Sequence, residues 1–270
     1  METRGNQDMQ HAIYNTIQKK RKTISDTLLG LALVLSLASC SSMDAKMDAD
    51  GLADALMSGD RAKADKQRDA GRKPADVITF LGIEEGMSVV DIIAAAGYYT
   101  EVLSVAVGKT GSVYAQNPDF ILKMREGAND KALTTRLAKN RLPNVVRLDR
   151  DLADLSIQPG SLDAAFTALN LHDLYNRSPD TAHGMLMSIK SLLKPGGILG
   201  IIDHNGNADQ DNASLHRMQL AQALSIATKA GFIVQTSNIL ANPKDDRSQG
   251  VFTAGLRGNT DRFVLKLIKP

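Results

Sequence analysis

The segment Val89-Val-Asp-Ile-Ile-Ala-Ala-Ala-Gly-Tyr-Tyr-Thr100 decides how this chain folds. Its first five residues form a short apolar run of the kind that a buried parallel strand shows. The small residues that follow, up to Gly97, allow a ligand to approach the backbone closely. From Tyr98 onward, apolar residues recur at helical spacing until Gly108, which is placed to end a helix. The segment therefore predicts a strand, a tight turn and a helix whose N-terminus can receive an anionic group.

The rest of the chain continues this alternation of strands and helices. We predict a long helix at 213–230, a final edge strand at 262–268, and other strands at 112–116, 145–148, 162–169, 198–202 and 232–236. This rhythm is typical of a single Rossmann-like, doubly wound α/β domain with seven strands, mostly parallel and covered on both faces. Residues 238–261 show no helical pattern. The final strand is therefore expected to insert antiparallel into the sheet.

The N-terminus carries a predicted secretory signal. A basic segment, Lys19-Lys-Arg-Lys22, precedes a short apolar run that leads into Leu37-Ala-Ser-Cys40. The run is shorter than the roughly 20 apolar residues that a membrane span requires. Leu-Ala-Ser-Cys resembles the bacterial lipobox, whose cysteine is lipidated and becomes the first residue. We therefore expect residues 1–39 to be a lipoprotein signal peptide and Cys40 to attach the exported protein to the membrane. Ser41 resembles a sorting signal for the periplasmic face of the outer membrane.

Length and composition limit the domain organisation and the possible partners of the mature chain. We expect residues 40–59 to be a flexible tether and 60–270 to form the folded domain, which is long enough for one core. The chain has 32 basic and 30 acidic residues, and this balance argues against a nucleic-acid partner. Cys40 is the only cysteine, so no disulfide is possible within the chain.

The order of elements over residues 60–270, with its terminal strand pair, resembles the class I S-adenosylmethionine-dependent methyltransferases. A bacterial subgroup of predicted exported methyltransferases is the more specific match. The segments that carry these resemblances include Asp91 to Thr100, Gly111 to Pro118, Asp151, Leu169 to Tyr175, Leu193 to Gly197, Leu215 to Arg217 and Arg257 to Leu265.

The resemblance implies a cofactor loop directly after the first strand. Asp91 matches the acidic residue that orients the loop and the cofactor's amino group, and Tyr99 is assigned to the same site. Ile93, Ala95 and Gly97 stand where the family has Gly-x-Gly-x-Gly. If the middle position has a positive φ, alanine there costs roughly 1 kcal/mol or more. Binding of S-adenosylmethionine is therefore expected, but more weakly than with an intact motif.

The resemblance assigns three further residues to the cofactor. Asn117 occupies the place after the second strand where an acid usually accepts both ribose hydroxyls, and its amide oxygen keeps part of that capacity. Asp151, after the third strand, would meet the adenine amino group. Asn170, after the fourth strand, would lie beside the transferring methyl group.

Polar residues also follow the fourth and fifth strands. His172 and Asp173 come after the fourth strand, and Asp203-His204 ends the fifth. The carboxyl ends of neighbouring parallel strands share one edge of the sheet, where ligands bind in such folds. We therefore expect one pocket, with His172, Asp173 or His204 as the proton acceptor.

The acceptor is expected to be a small molecule held by four residues. Tyr175 and Asp203 belong to the segments at the strand ends, and His216 and Arg217 lie on the predicted long helix. Arg217 in particular could pair with an anionic substrate.

Three functions fit this sequence. The first is methyl transfer from S-adenosylmethionine to a small molecule. The second is a catalytically silent, lipid-anchored binding or scaffold protein, which the missing loop glycines and Asn117 favour. The third is a metal-assisted hydrolase that uses the His/Asp cluster. No His-x-x-x-His helix or paired cysteines support the third, and we assign no metal ligand from the sequence.

Overall fold

The computed structural model describes residues 47–270; the predicted signal peptide and Cys40 lie outside this range. The helices are α1 Ala49–Ser58, α2 Lys63–Arg72, α3 Pro74–Leu81, α4 Tyr98–Val107, α5 Asp119–Leu137 (kinked at 124–127), α6 Leu171–Arg177, α7 Pro179–Leu192 and α8 Leu220–Lys229. The strands are β1 Ser88–Ile92, β2 Ser112–Asn117, β3 Val145–Asp149, β4 Leu162–Ala168, β5 Leu193–His204, β6 Ile233–Ser237 and β7 Arg262–Ile268. A 3₁₀ turn covers Ala138–Asn140.

The seven strands form one sheet in the order β3-β2-β1-β4-β5-β7-β6. β7 runs antiparallel to both of its neighbours, and the pairs from β3 to β5 are parallel. The predicted α/β class, the seven strands and the antiparallel insertion are confirmed. The predicted position of β7 at the edge is wrong, because the chain from 238 to 261 carries it back between β5 and β6. β6 is the edge strand instead.

Helices cover both faces of the sheet. Successive residues of β1 point to opposite faces: Val89 packs with α1, α3 and α4, and Val90 packs with α7 and α8. Both side chains are fully buried, which explains why the strand is apolar on both sides of Asp91. Among residues 47–270, no helix has the length and apolar character needed to cross a membrane.

The second half of the expected flexible tether is folded, which corrects the domain boundary. Residues 49–58 form α1, which begins at Asp48, whose side chain accepts a hydrogen bond from the Gly51 N–H at 2.8 Å. Leu52 and Leu56 on this helix are buried against the core. The spacing of these two leucines, four residues apart, places them on one helical face.

Candidate functional site

The turn between β1 and α4 keeps the backbone of a glycine-rich loop, although only Gly97 is a glycine. Ile93, Ala95 and Gly97 have φ values of 55°, 51° and 78°. An L-residue in this left-handed region is strained by about 1 kcal/mol or more, and a β-branched residue is a rare occupant. Strain of this kind persists only where surrounding contacts impose it, and it is concentrated at functional sites.

Two buried amides at the end of β2 impose this shape. Asn117 Oδ1 accepts a hydrogen bond from the Ala95 N–H at 2.7 Å, and Asn117 Nδ2 donates to the Ala95 carbonyl at 3.1 Å. Gln116 Oε1 accepts from the Ile93 N–H at 3.0 Å. Both amide side chains are fully buried. The sequence predicted that Asn117 would accept hydrogen bonds from the ribose, but its buried amide is bonded to Ala95 and positions the loop instead.

Asp91 and Tyr99 also face inward. The Asp91 carboxylate accepts a hydrogen bond from Thr100 Oγ1 at 2.7 Å and so ties β1 to the first turn of α4. Burial raises the pKa of Asp91 to about 7, although the hydrogen bonds from Thr100 oppose this shift. The Tyr99 ring is buried against Phe166, with 4.5 Å between centroids. Asp91 and Tyr99 were predicted to contact the cofactor, but in the structure they contact Thr100 and Phe166 inside the protein.

The other residues predicted to bind small molecules lie near the same edge of the sheet. Asp151 is exposed, two residues after β3. Asn170 precedes α6, and its Nδ2 donates to Thr167 Oγ1 at 3.0 Å. Tyr175 is half-buried on α6 and packs against the core. Of these residues, Asp151 offers the most accessible polar group.

His172 is held between two carboxylates, as the convergence of β4 and β5 predicted. Its Nδ1 lies 2.6 Å from Asp203 Oδ1, its backbone N–H donates to Asp203 Oδ2 at 2.8 Å, and its Nε2 lies 3.2 Å from Asp173 Oδ1. Burial lowers the pKa of His172, but Asp203 and Asp173 outweigh it and raise the pKa to about 10. At neutral pH His172 is therefore a cation and a poor proton acceptor.

His204 lies beside His172, but its pKa is shifted in the opposite direction. Their ring centroids are 5.6 Å apart, and His204 Nδ1 is 2.8 Å from Thr260 Oγ1. Burial lowers the pKa of His204 to about 3, and the positive charges of His172 and Arg262 add to this shift, while Asp203 opposes it. His204 is therefore neutral at physiological pH.

Arg217 does not overhang the pocket, because the predicted helix at 213–230 begins only at Leu220. Its side chain is fully buried. The guanidinium pairs with Asp245 at 3.0 Å and donates to the carbonyls of Gln249 and Asn205 at 3.0 and 2.9 Å. The long side chain thus joins two loops from inside the molecule. The interpretation of Arg217 as a substrate contact is wrong, since no part of it is accessible.

His216, next to Arg217, does reach the site. It has a φ of 53°, and its Nδ1 lies 2.9 Å from Asp173 Oδ1. His172, Asp173 and His216 each offer one ligand atom, and these atoms lie within 4.8 Å of one another. Two imidazoles and a carboxylate suit zinc or a redox-active transition metal, and Asp203 would orient His172 as outer carboxylates do in metal sites. This set could hold a metal ion, which would replace the proton on His172 Nε2.

A cavity of about 650 Å³ opens beside His204 at the same edge of the sheet. Leu169, directly after β4, and Phe252 contribute to its wall, and four arginines supply its charge: Arg68 and Arg72 from α2, Arg257 from the loop before β7, and Arg262 at the start of β7. Sequence reasoning missed all four. The only sequence signal was the pair of arginines that flank Gly258 to Asp261, and that signal does not predict the approach of α2.

Comparisons with known proteins identify the fold. No family model and no curated protein matches the sequence. A methyltransferase from Aquifex aeolicus that depends on S-adenosylmethionine superposes with a TM-score of 0.55 at 22% identity, over 73% of this chain and 89% of that one.

Two further solved structures show how widely this fold is used. A proposed sarcosine dimethylglycine methyltransferase from Galdieria sulphuraria gives a TM-score of 0.51 at 15% identity, over 74% of this chain and 84% of that one. The cyclase SpnF gives 0.56 at 17% identity, over 78% and 84%. Since a cyclase shares the architecture, the fold does not by itself fix the reaction. The chain has the Rossmann-like fold of the class I S-adenosylmethionine-dependent methyltransferases.

Proposed function

We propose that this protein transfers a methyl group from S-adenosylmethionine to a small-molecule acceptor. The observation that carries the proposal is the left-handed backbone at Ile93 and Ala95. Neither residue favours this conformation, yet Gln116 and Asn117 hold it with three hydrogen bonds. A chain that needed only a βα turn would gain stability by relaxing this loop, so its maintenance favours a ligand-binding role.

The backbone of the loop after β1 fits the cofactor, whereas the side chain at 117 differs from the acid that would bind the ribose. The loop at 93–97 and the N-terminus of α4 would receive the polar groups of the methionine part, and the exposed Asp151 would meet the adenine amino group. Asn117 offers the ribose no free acceptor. When bound, S-adenosylmethionine supplies an electrophilic methyl carbon, and its sulfur keeps the electron pair of the broken bond. Binding is expected to be weaker than with an acidic residue free at this place.

The polar residues at the strand ends would position the acceptor. His172 is protonated and His204 is neutral, but the low pKa of His204 makes it a weak base. The pKa of Asp173 is also lowered, by its contact with His172. None of these three groups would readily remove a proton from a neutral alcohol or amine. The site therefore favours an acceptor whose nucleophilic atom carries no proton at neutral pH.

Calorimetry of the full chain with S-adenosylmethionine and with its demethylated product tests the proposal. We expect saturable binding that weakens several-fold in Asp151→Asn and stays unchanged in Asp154→Asn, an equal change of charge three residues away. Ala95→Gly should bind at least as tightly as the wild type, because glycine adopts the φ of 51° at this position without strain. If millimolar ligand gives neither heat nor a thermal shift with the wild type and Ala95→Gly, the silent binding protein is the correct interpretation.

The cluster of His172, Asp173 and His216 supports a second candidate, a metal-dependent activity. Titration of the full chain with zinc and with manganese would test it. One bound ion per chain, lost in His216→Ala and retained in His183→Ala, would support a metal site. Equal binding by both variants would rule it out at this cluster.

We also propose that Cys40 is lipidated and anchors the protein in the cell envelope, on the basis of Leu37-Ala-Ser-Cys40 after an apolar run. Cys40→Ser should accumulate as an unprocessed precursor and incorporate no labelled fatty acid. Normal labelling of that variant would refute the anchor.

A further inference from the structure

The wall of the cavity beside His204 carries positive charge. Arg68, Arg72, Arg257 and Arg262 line it, and within residues 47–270 no aspartate or glutamate does. Arg68 has an ion pair with Asp65 at 3.0 Å. Arg257 is exposed to solvent. The charges that need an explanation are therefore those of Arg72 and Arg262, which lie deeper.

Arg72 stacks on aromatic rings, and Asp65 acts on it only through its charge, without an ion pair. Its guanidinium lies 4.5 Å from the ring centre of Tyr98 and 5.7 Å from that of Tyr99. In the described part of the chain, Arg72 makes no side-chain hydrogen bond or ion pair. Stacking on aromatic rings leaves the in-plane N–H donors of a guanidinium free to bind a planar or tetrahedral oxyanion.

Arg262 is buried and bonds only to backbone. Its side chain donates to the carbonyls of Gly71 at 2.7 Å and Thr260 at 3.2 Å, and 7% of its surface is exposed. These carbonyls hold the guanidinium in place without neutralising it. A cation withdrawn from water without an ion pair is costly. The buried Arg262 and the half-buried Arg72 at one cavity therefore indicate that an anion is its natural occupant.

The electrostatics of the neighbouring groups agree with this geometry. Burial lowers the pKa of both Arg72 and Arg262, and the positive charge of Arg72 lowers that of Arg262 further. The tyrosines and the more distant charges of Asp65 and Asp261 oppose these shifts without cancelling them. A bound anion would relieve both effects, since it supplies the opposite charge inside the cavity.

The cavity lies where an acceptor would have to lie. His204 ends β5, Arg262 is its partner on β7, and Leu169 follows β4. Tyr98 and Tyr99, on which Arg72 stacks, begin α4 directly after the loop at 93–97. An anion held by Arg72 and Arg262 would thus be adjacent to the proposed cofactor loop.

We infer that this cavity binds a carboxylate or phosphate group of a small molecule through Arg72 and Arg262. Its identification as the methyl acceptor rests on the proposed function, whereas the anion site does not.

The full chain, titrated calorimetrically with inorganic phosphate and separately with succinate at constant ionic strength, tests the site. We expect saturable binding of at least one probe, and the tighter one identifies the preferred oxyanion. Arg72→Gln should weaken binding at least ten-fold. Arg147→Gln removes the same charge at β3, at the other end of the sheet, and should leave binding unchanged. Arg257→Gln, in an exposed loop, should weaken it several-fold and serves if Arg72→Gln does not fold.

The inference is overturned if neither probe binds saturably to the wild type, or if the variants at 72 and 257 bind as tightly as Arg147→Gln. Binding of S-adenosylmethionine is measured on the same samples. A chain that binds the anion but not S-adenosylmethionine keeps the anion site and refutes methyl transfer. The reverse result refutes only the anion site.

Discussion

Asn117→Asp separates the two roles that this position could have. If Asn117 served the ribose, the substitution would restore the usual acid and tighten cofactor binding. In the structure, the fully buried Asn117 donates from Nδ2 to the Ala95 carbonyl at 3.1 Å. An ionised carboxylate would lose this bond, at a cost of about 1 kcal/mol, and would place a negative oxygen against the carbonyl. We therefore expect Asn117→Asp to destabilise the loop and to give no gain in affinity.

The effect of Asn117→Asp on the free energy of unfolding should depend on pH, and both its sign and its size can be worked out. A protonated carboxyl can donate to the Ala95 carbonyl as the amide does, so folding should raise the pKa of the new group above its unfolded value of about 3.9. An acid with a raised pKa stabilises the folded state at low pH, and this contribution is lost as the pH rises. For a shift of between two and three units, the free energy of unfolding of the variant should fall by about 2 kcal/mol between pH 5 and pH 8, relative to the wild type.

Urea denaturation of the full chain at these two pH values measures the effect. Asn140→Asp is the matched control, because Asn140 is exposed and its side chain makes no hydrogen bond in the described part of the chain. The control should track the wild type at both pH values. If Asn117→Asp tracks the control, or binds S-adenosylmethionine more tightly than the wild type, the proposed role of Asn117 in holding the loop is refuted.

Three further substitutions test other parts of the structure. Asp91→Asn keeps an acceptor for Thr100 and removes a group whose pKa is raised to about 7. Between pH 5 and pH 8, the free energy of unfolding of the wild type should fall by about 2 to 3 kcal/mol more than that of this variant. An equal fall in both proteins would contradict the raised pKa. Gly97→Ala places a Cβ 2.8 Å from Leu133 Cδ1 at a φ of 78° and should lower the free energy of unfolding by about 2 kcal/mol, whereas Gly184→Ala, with open space around it, should not. Leu56→Ala should cost about 3 kcal/mol by urea denaturation, because Leu56 is 1% exposed; a change below about 0.5 kcal/mol would mean that α1 does not contribute to the core.

Features that depend on local pattern and strand direction could be predicted from the sequence. The apolar run from Val89 and the helix from Tyr98 to Gly108 were correctly predicted, because burial on both faces and helical periodicity leave direct traces. The approach of His172 to Asp203 was predictable as well. Parallel strands end at a common edge, so residues that follow β4 and β5 must be neighbours there.

Features that depend on distant contacts could not be predicted. The pattern at 213–219 is compatible with a helix, but the hydrogen bonds of Arg217 with residues 205, 245 and 249 impose a loop instead. The arginine cavity combines α2, the loop at 251–260 and β7, and no periodicity links these segments. Asn117 is a further example. The sequence shows an amide side chain at this position, but it does not show that the amide points toward Ala95.

The interior position of β7 has a consequence for how the sheet assembles. β6 contacts the other strands only through β7, and β5 exposes an unpaired edge until β7 arrives. Unpaired edges promote aggregation between partly folded chains. The seven residues of β7 therefore complete two pairings at once, and a chain cut off within 238–261 loses both. Folding of this half of the sheet must wait until residue 268 has been synthesised, so the nascent chain needs protection for longer than its first five strands require.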